Sequence, residues 1–317
     1  MVSYIVKRIL MTLLVLLLVI VFLSLLVHIV PGDPATTILG PRATPALIQK
    51  LRSSMDLDKP IYVQVGHFLL NIFHGSLGVD AITGAPITKL VSNALPHTLI
   101  LAVTSLALAI LLGIPMGVFS ATHPNSLVDR FVAAISISLT TIPSYVAGLF
   151  LLIIFAVDLH ALPAMGIGRA GDTLDYLRHL ILPSIALAST WIGYLARLVR
   201  TSLLEVLNET YVRTSRAAGL SERLVRYKYA LKNALIPTVA ILGVGLGSLM
   251  GGAVFVEIIF SRPGMGLLIY NSIQVRNYPM VRAGVFIVAF LFVLANFFAD
   301  LLYTYLDPRI QLNKRQG

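Results

Sequence analysis

None of the 317 residues is a cysteine. That excludes a disulfide framework, a thiol nucleophile and a cysteine-built metal site, and it leaves the redox compartment open. Charge is scarce as well: Asp, Glu, Lys and Arg together make up 12% of the chain, against roughly a quarter in a soluble domain. No stretch follows the phosphate-loop pattern G-x-x-x-x-G-K-[ST], so ATP is not bound here in that manner. No H-E-x-x-H or comparable metal spacing occurs either. His28, His97, His160 and His179 are scattered at span ends or in adjoining loops, where interfacial histidine is the first reading and metal ligation or proton transfer the second. The net charge of +10 comes without basic-aromatic interleaving or a recognised nucleic-acid motif, which excludes nucleic acid as the partner it serves. No pair of catalytic groups converges in the sequence, so an enzyme is not expected.

What the chain has instead is apolar length. Hydrophobic residues make up 57%, and several runs reach about 20 residues, enough to cross a hydrocarbon core about 30 Å thick as helices. The expected fold is all-α and polytopic, with six transmembrane helices. Lys7 and Arg8 precede the apolar run 9–30, which is too long for a signal peptide and lacks a small-residue cleavage site, so it reads as an uncleaved first span entering from the cytoplasm. Pro31-Gly32-Asp33-Pro34 stops it on the far side. Further spans are expected at 97–121, 131–157 with a kink at Pro143, 179–200, 236–257 and 281–305. Fourteen of the 24 Lys and Arg then fall in short cytoplasmic segments and ten in longer outside ones, which puts both termini in the cytoplasm. The layout is a first span within 1–30, an extracytoplasmic segment 31–96, a five-helix core 97–310 that includes a cytoplasmic loop 201–235, and a tail 311–317.

Segment 31–96 carries amphipathic patterns. Thr44 and Pro45 start a helix with Leu47, Ile48, Leu51 and Met55 on one face. Pro60 opens another, with Ile61, Val65, Phe68, Leu69, Ile72 and Phe73 at helical spacing. A third, from Pro86, groups Ile87, Leu90, Val91 and Ala94. Such helices lie in the membrane interface or against neighbouring spans; the alternative is a docking rim for an external delivery protein. The outside segments are 158–178, rich in Gly and Asp, and 261–280, which contains SRPGMG.

Ion-coupled transporters keep ionisable groups near the bilayer midplane, and here the spans are almost devoid of them. Glu257 sits at the outer end of the fifth span. Asp300, one turn after Asn296, is expected to pair with a basic loop residue or a backbone group rather than to carry protons. The energy source is therefore expected outside this chain. The fifth span is rich in small residues: Gly243, Gly247 and Gly251 recur every fourth position, with Ser248 alongside. That spacing permits close helix packing or a smooth wall along a pathway.

The stretch 197–237 is the longest polar interruption on the cytoplasmic side, and it holds eight of the 24 Lys and Arg. Asn208 reads as an N-cap followed by Glu209, Gly219 as a break, and Ser221 as the cap of a second helix with Glu222 in its first turn. Leu224, Val225, Leu231 and Leu235 supply apolar contacts. Two short helices around a glycine form either a surface for another protein or a basic loop that only sets topology and meets anionic lipid.

Seven blocks in order, IVPGDPA (29–35), GSLG (75–78), LPHTLILA (95–102), DTLDYLRHLILPSIAL (172–187), YVRTSRAAGLSERLVRYKYALKNALIP (211–237), LGSLMGGAVFVEIIFSRPGMG (246–266) and LLYTYLDPRI (301–310), resemble the permease subunits of bacterial ATP-binding-cassette importers of the dipeptide, oligopeptide and nickel family. The resemblance implies a multi-pass protein of a bacterial or archaeal cytoplasmic membrane. It implies as partners a second related permease, two ATPase subunits, an extracytoplasmic substrate-binding protein and the lipid bilayer. ATP and magnesium would sit on the ATPases, with no cofactor on this chain. The cytoplasmic loop would be the coupling element, carried by Tyr211, Arg213, Arg216, Ala217, Gly219, Leu220, Ser221 and Glu222. The wider superfamily begins this motif Glu-Ala-Ala where this chain has Arg213-Thr214-Ser215, a departure that points to the peptide branch. Asp33 of the first block, with Arg262 and Pro263 of SRPGMG, are the candidates for binding-protein docking. Peptides are the leading cargo, with nickel chelates, glutathione-like compounds and other small solutes as alternatives; an ion-gradient-driven secondary transporter is the rival of another class.

Overall fold

The computed structural model describes residues 2–29, 32–41 and 43–306; for 2–5, 27, 28 and 300–306 only the backbone course is described. The side chains of His28 and Asp300, residue Pro31 and the basic tail after Leu306 lie outside the described residues.

The named elements of the described residues are all helical. α1 (Val2–Ile29) is followed by α2 (Pro34–Leu39), α3 (Pro45–Ser54) and α4 (Ile61–Phe73), and α5 runs over 36 residues (Ile87–Thr122). α6 (Leu127–Thr141) and α7 (Ser144–Leu151) lead into a π-helical turn (Leu152–Asp158), and α8 spans Thr173–Leu207. The loop after it forms α9 (Thr210–Ala217), α10 (Glu222–Leu224), a π-helical turn (Val225–Ala230) and α11 (Leu231–Ala234). α12 (Ile236–Ile259), α13 (Met265–Gln274) and α14 (Tyr278–Leu306) complete the order. Among the described residues five helices are long and apolar enough to span a membrane, and α6 with the helical stretch after Pro143 makes a sixth if that bent pair is one span.

Two departures from the expected elements have local causes. The third amphipathic segment and the second span are one helix, α5, with Pro96 inside it. Neighbouring groups in a membrane protein re-satisfy the backbone that a proline frees. At Pro143 the expected kink is a break of 103°. Pro143 has no N–H and excludes helical geometry at the residue before it; Ile142 is extended (φ −81°, ψ 119°) and closes α6, while the Pro143 carbonyl accepts from Val146 and Ala147 at 3.0 Å to open α7. Segment 261–280 contains α13.

The described residues form two compact units, one within 1–99 and 261–293 and one within 100–260 and 294–306. In the first, Leu16 and Ile20 of α1, Val65 and Phe68 of α4, Ile87, Val91 and Ala94 of α5, and Met280, Ala283 and Phe286 of α14 form one buried cluster. Phe68 meets Phe286 edge to face at 5.6 Å, and the Arg282 guanidinium lies 4.9 Å from the Phe68 ring centre. α3 and α4 start where expected, at Thr44 and Pro60. Phe73, at the end of the apolar series of α4, is 84% exposed, and Gln64 takes a buried place, its amide donating to the Lys59 carbonyl at 2.9 Å. Asp80 is buried and accepts from the Ile82 and Thr83 N–H groups, the Thr83 hydroxyl and the Asn277 amide. Burial pushes its carboxyl upward, but these donors outweigh burial and hold it below the usual aspartate value.

The second unit is organised on α8. Helices α6, α7 and α12 all pack on it. Asp172 caps its start by accepting from the Leu174 and Asp175 N–H groups at 3.0 and 3.1 Å. Small residues allow the close approaches: a Cβ on Gly113 of α5 would lie 2.9 Å from the Ile192 carbonyl oxygen, and one on Gly193 would lie 2.5 Å from that of Ser136 in α6.

Candidate coupling site

α8 does not stop where the sequence suggests. Its apolar positions continue to Leu207, and Asn208 closes it from the C-terminal side, the Asn208 amide donating to the Leu204 carbonyl at 3.0 Å. Asn208 is therefore a C-cap, not the expected N-cap. Glu209 holds the extended position before α9 and makes no side-chain capping bond. α9 ends because Gly219 takes a left-handed conformation (φ +82°), its N–H bonding the Arg216 carbonyl at 2.9 Å. Ser221 precedes α10 in the expected N-cap position, without a side-chain capping bond.

The folded loop seats on the bundle through small and branched apolar side chains. Val212, Val225, Ala230 and Ala234 are fully buried against Val118 and Ala121 of α5 and Val199 and Leu203 of α8, with Leu220, Leu231 and Leu235 packed around them. The polar groups are organised on the other side. Glu222 accepts from Arg216 Nε at 2.7 Å and Arg226 Nε at 3.0 Å. The Arg216 hydrogen bond is the main reason that the Glu222 carboxyl is held below its ordinary value. Arg216 also reaches the Leu207 carbonyl at 3.4 Å, Arg226 reaches the Thr122 carbonyl at 3.5 Å, and the Asn233 amide donates to the Tyr211 hydroxyl at 2.8 Å. Tyr211, Arg213, Arg216, Ala217, Gly219, Ser221 and Glu222 are all exposed on this one loop, and Leu220 is half-buried beneath them.

The fifth-span small residues divide between faces of α12. A Cβ on Gly243 would collide with Ala299 of α14, and one on Gly245 would lie 2.9 Å from the Trp191 ring. Gly247 is buried. Ser248 and Gly251 are exposed, and a Cβ on Gly251 would meet nothing within 4 Å. One helix thus carries a packing face and an open small-residue face.

Of the docking candidates, Asp33 caps α2 through the Ala35 N–H at 3.1 Å and pairs with Arg52 at 3.1 Å. Pro263 is exposed and lines a cleft of about 290 Å³ with Asn93, His97 and Asn271. Arg262, expected beside it on that surface, is fully buried and presents no guanidinium there.

Sequence reasoning missed Asp129. It lies near the start of α6, buried, and its carboxylate accepts from both Nε and Nη2 of Arg200 at 2.7 and 2.8 Å. The only local signal was an acidic residue in the first turn of a helix capped by Ser126; its partner is 71 positions away. No group of three or more His, Asp or Glu side chains suited to a metal occurs among the described residues.

Several long apolar helices, among them a buried, small-residued α8 with a polar loop folded onto one end, define the class as a polytopic α-helical membrane component. Residues 113–312 match the family described as binding-protein-dependent transport system inner membrane component, and residues 1–102 match the N-terminal part of such components. The chain belongs to this family, and membership makes it a permease subunit of an ABC importer. It is 39% identical over 307 residues to the probable D,D-dipeptide transport system permease protein DdpB of Escherichia coli, covering 89% of this chain and 90% of that protein. It is 38% identical over 311 residues to the glutathione transport system permease protein GsiC of Pectobacterium atrosepticum, covering 98% and 99%. Among solved structures, an inward-facing MetNI methionine ABC transporter shares the fold with a TM-score of 0.57 at 20% identity, covering 69% of this chain and 97% of that one.

Proposed function

We propose that this permease forms, with a second related permease, the translocation pathway for peptides delivered by an extracytoplasmic binding protein, and that two ATPase subunits carrying ATP and magnesium drive it. The proposed topology has six spans, with the bent pair α6–α7 counted as one and both termini cytoplasmic. The observation that carries this reading is the loop 210–234. Its apolar side chains are committed to α5 and α8, while Tyr211, Arg213, Arg216 and Glu222 face outward around the left-handed Gly219. A surface rigidly seated on two long helices is suited to receive a push and pass it on. Nucleotide-driven closure of the ATPases would draw two such loops together and rock the bundles between outward- and inward-open states. The names of the relatives, a D,D-dipeptide and a glutathione permease, support peptide-like cargo. The open face of α12 at Ser248 and Gly251 is the proposed pathway wall, and Gly243 and Gly247 are proposed for helix packing. Asp33 and Pro263 remain the proposed contacts of the binding protein.

The test is Gly219→Val in the assembled transporter. No atom lies within 4 Å of the added Cβ, so the strain is confined to the backbone, about 1–2 kcal/mol for an L-residue held left-handed. The expected result is membrane insertion at the parental level, with uptake per ATP hydrolysed down about tenfold. Parental coupling in this variant removes the claim, and uptake in vesicles without nucleotide hydrolysis would favour an ion-driven carrier instead.

A further inference from the structure

Asp129 ties together three elements of the second unit. Besides its bidentate pair with Arg200 of α8, its carboxylate accepts from the Ser120 hydroxyl near the end of α5 and from the Asn125 N–H in the following turn at 2.9 Å. Asn125 is itself left-handed (φ +61°), which turns its N–H toward that carboxylate. Four donors from three elements therefore converge on one buried group. The apolar cluster beneath the coupling loop draws on α5 and α8 and, among the described residues, on none from α6. The loop thus seats on α5 and α8 directly, and at that end α6 is attached through Asp129.

Along its length α6 also packs closely on α8, at Gly193 against Ser136, Leu139 and Thr140. Packed helical surfaces can shift from one arrangement to the next. A bidentate ion pair resists such a shift, because moving one partner leaves a buried charge without its counter-ion. Buried ion pairs seldom add stability over apolar side chains of similar size, and their best-attested use is to fix register.

We propose that Asp129 is a positioning residue for transport: with Arg200 it holds α6 in register with α8, so that displacement of the loop 210–234 carries the broken span α6–α7 with it. This rests on the reading of that loop as the ATPase-coupling element. The test uses the full importer in liposomes with two double variants, Asp129→Leu with Arg200→Met, and Asp129→Arg with Arg200→Asp. In the apolar pair, assembly and ATP hydrolysis are expected to be retained, with a lower thermal midpoint because the Ser120 hydroxyl and the Asn125 N–H lose their acceptor, while uptake per ATP falls at least about fivefold. In the reversed pair much of that ratio is expected to return. A parental ratio in the apolar pair overturns the proposal. If the apolar pair does not assemble, the reversed pair decides: a restored ratio supports the register role, and a ratio still depressed in an assembled, hydrolysing complex overturns it. Failure of the unaltered chain to retain any ATPase would instead sink the parent reading, and the register role with it.

Discussion

α1 and α8 invert the usual relation between apolarity and burial. The apolar window of α1 is the most hydrophobic of the five long helices, yet only 17% of it is buried; that of α8 is the least hydrophobic, and 67% is buried. In water this would be a contradiction. In a bilayer the acyl chains are as apolar as leucine, so a leucine-rich helix gains nothing by hiding, and helices associate instead by close packing of small residues and by polar contacts. α8 is built for this, with Ser184, Ala186, Ala188, Ser189, Gly193 and Ala196 buried along it. Its bidentate ionic contact, Arg200 with the buried Asp129, lies toward the loop end of the helix. Exposure in α1 and burial in α8 thus have one cause, the solvent each helix faces.

Substitutions can break or sharpen that contrast. Gly193→Leu should have the largest effect, because its Cβ would lie 2.5 Å from the Ser136 carbonyl oxygen and close to Leu139 and Thr140. A loss of about 3 kcal/mol or more is expected, read as failure to recover the assembled importer from detergent or as a much lower thermal midpoint. An unchanged midpoint would show that α6 and α8 do not depend on this approach. Gly117→Ala comes next. Its Cβ would sit 2.5 Å from the Ala196 carbonyl oxygen and 2.8 Å from Val199 Cβ, a milder overpacking worth about 1–3 kcal/mol, visible as a smaller drop in the same midpoint. Leu14→Ala on α1 should do least. Leu14 is half exposed, and the change costs about 0.5 kcal/mol in insertion propensity, with no shift in the midpoint. A shift as large as that of Gly117→Ala would mean that this face of α1 is covered by another subunit, and the contrast would then be one of partners.

Much of this architecture was legible because it is local. Runs of apolar residues locate the spans to within a turn or so at most ends, Thr44 and Ser221 stand where their helices begin, and Gly219 marks a backbone position that other residues adopt only with strain. Errors arose where a local signal met tertiary context. Asn208 has the chemistry of an N-cap, but the apolar face of α8 extends one more turn and makes it a C-cap. Pro96 and Pro143 are equally capable of breaking a helix, yet only Pro143 does. The glycines of α12 look alike in sequence; Gly243 faces Ala299 and Gly251 faces open space.

The sequence by itself determined that the chain is a helical membrane protein with a basic, glycine-broken loop between two spans, because span length, helix stops and charge bias are properties of neighbouring residues. Tertiary structure alone decided which polar groups meet. Asp129 finds Arg200 across 71 positions, and Asp80 finds Asn277 across 197. Such pairings follow from which helix faces pack together, and local periodicity carries no record of that.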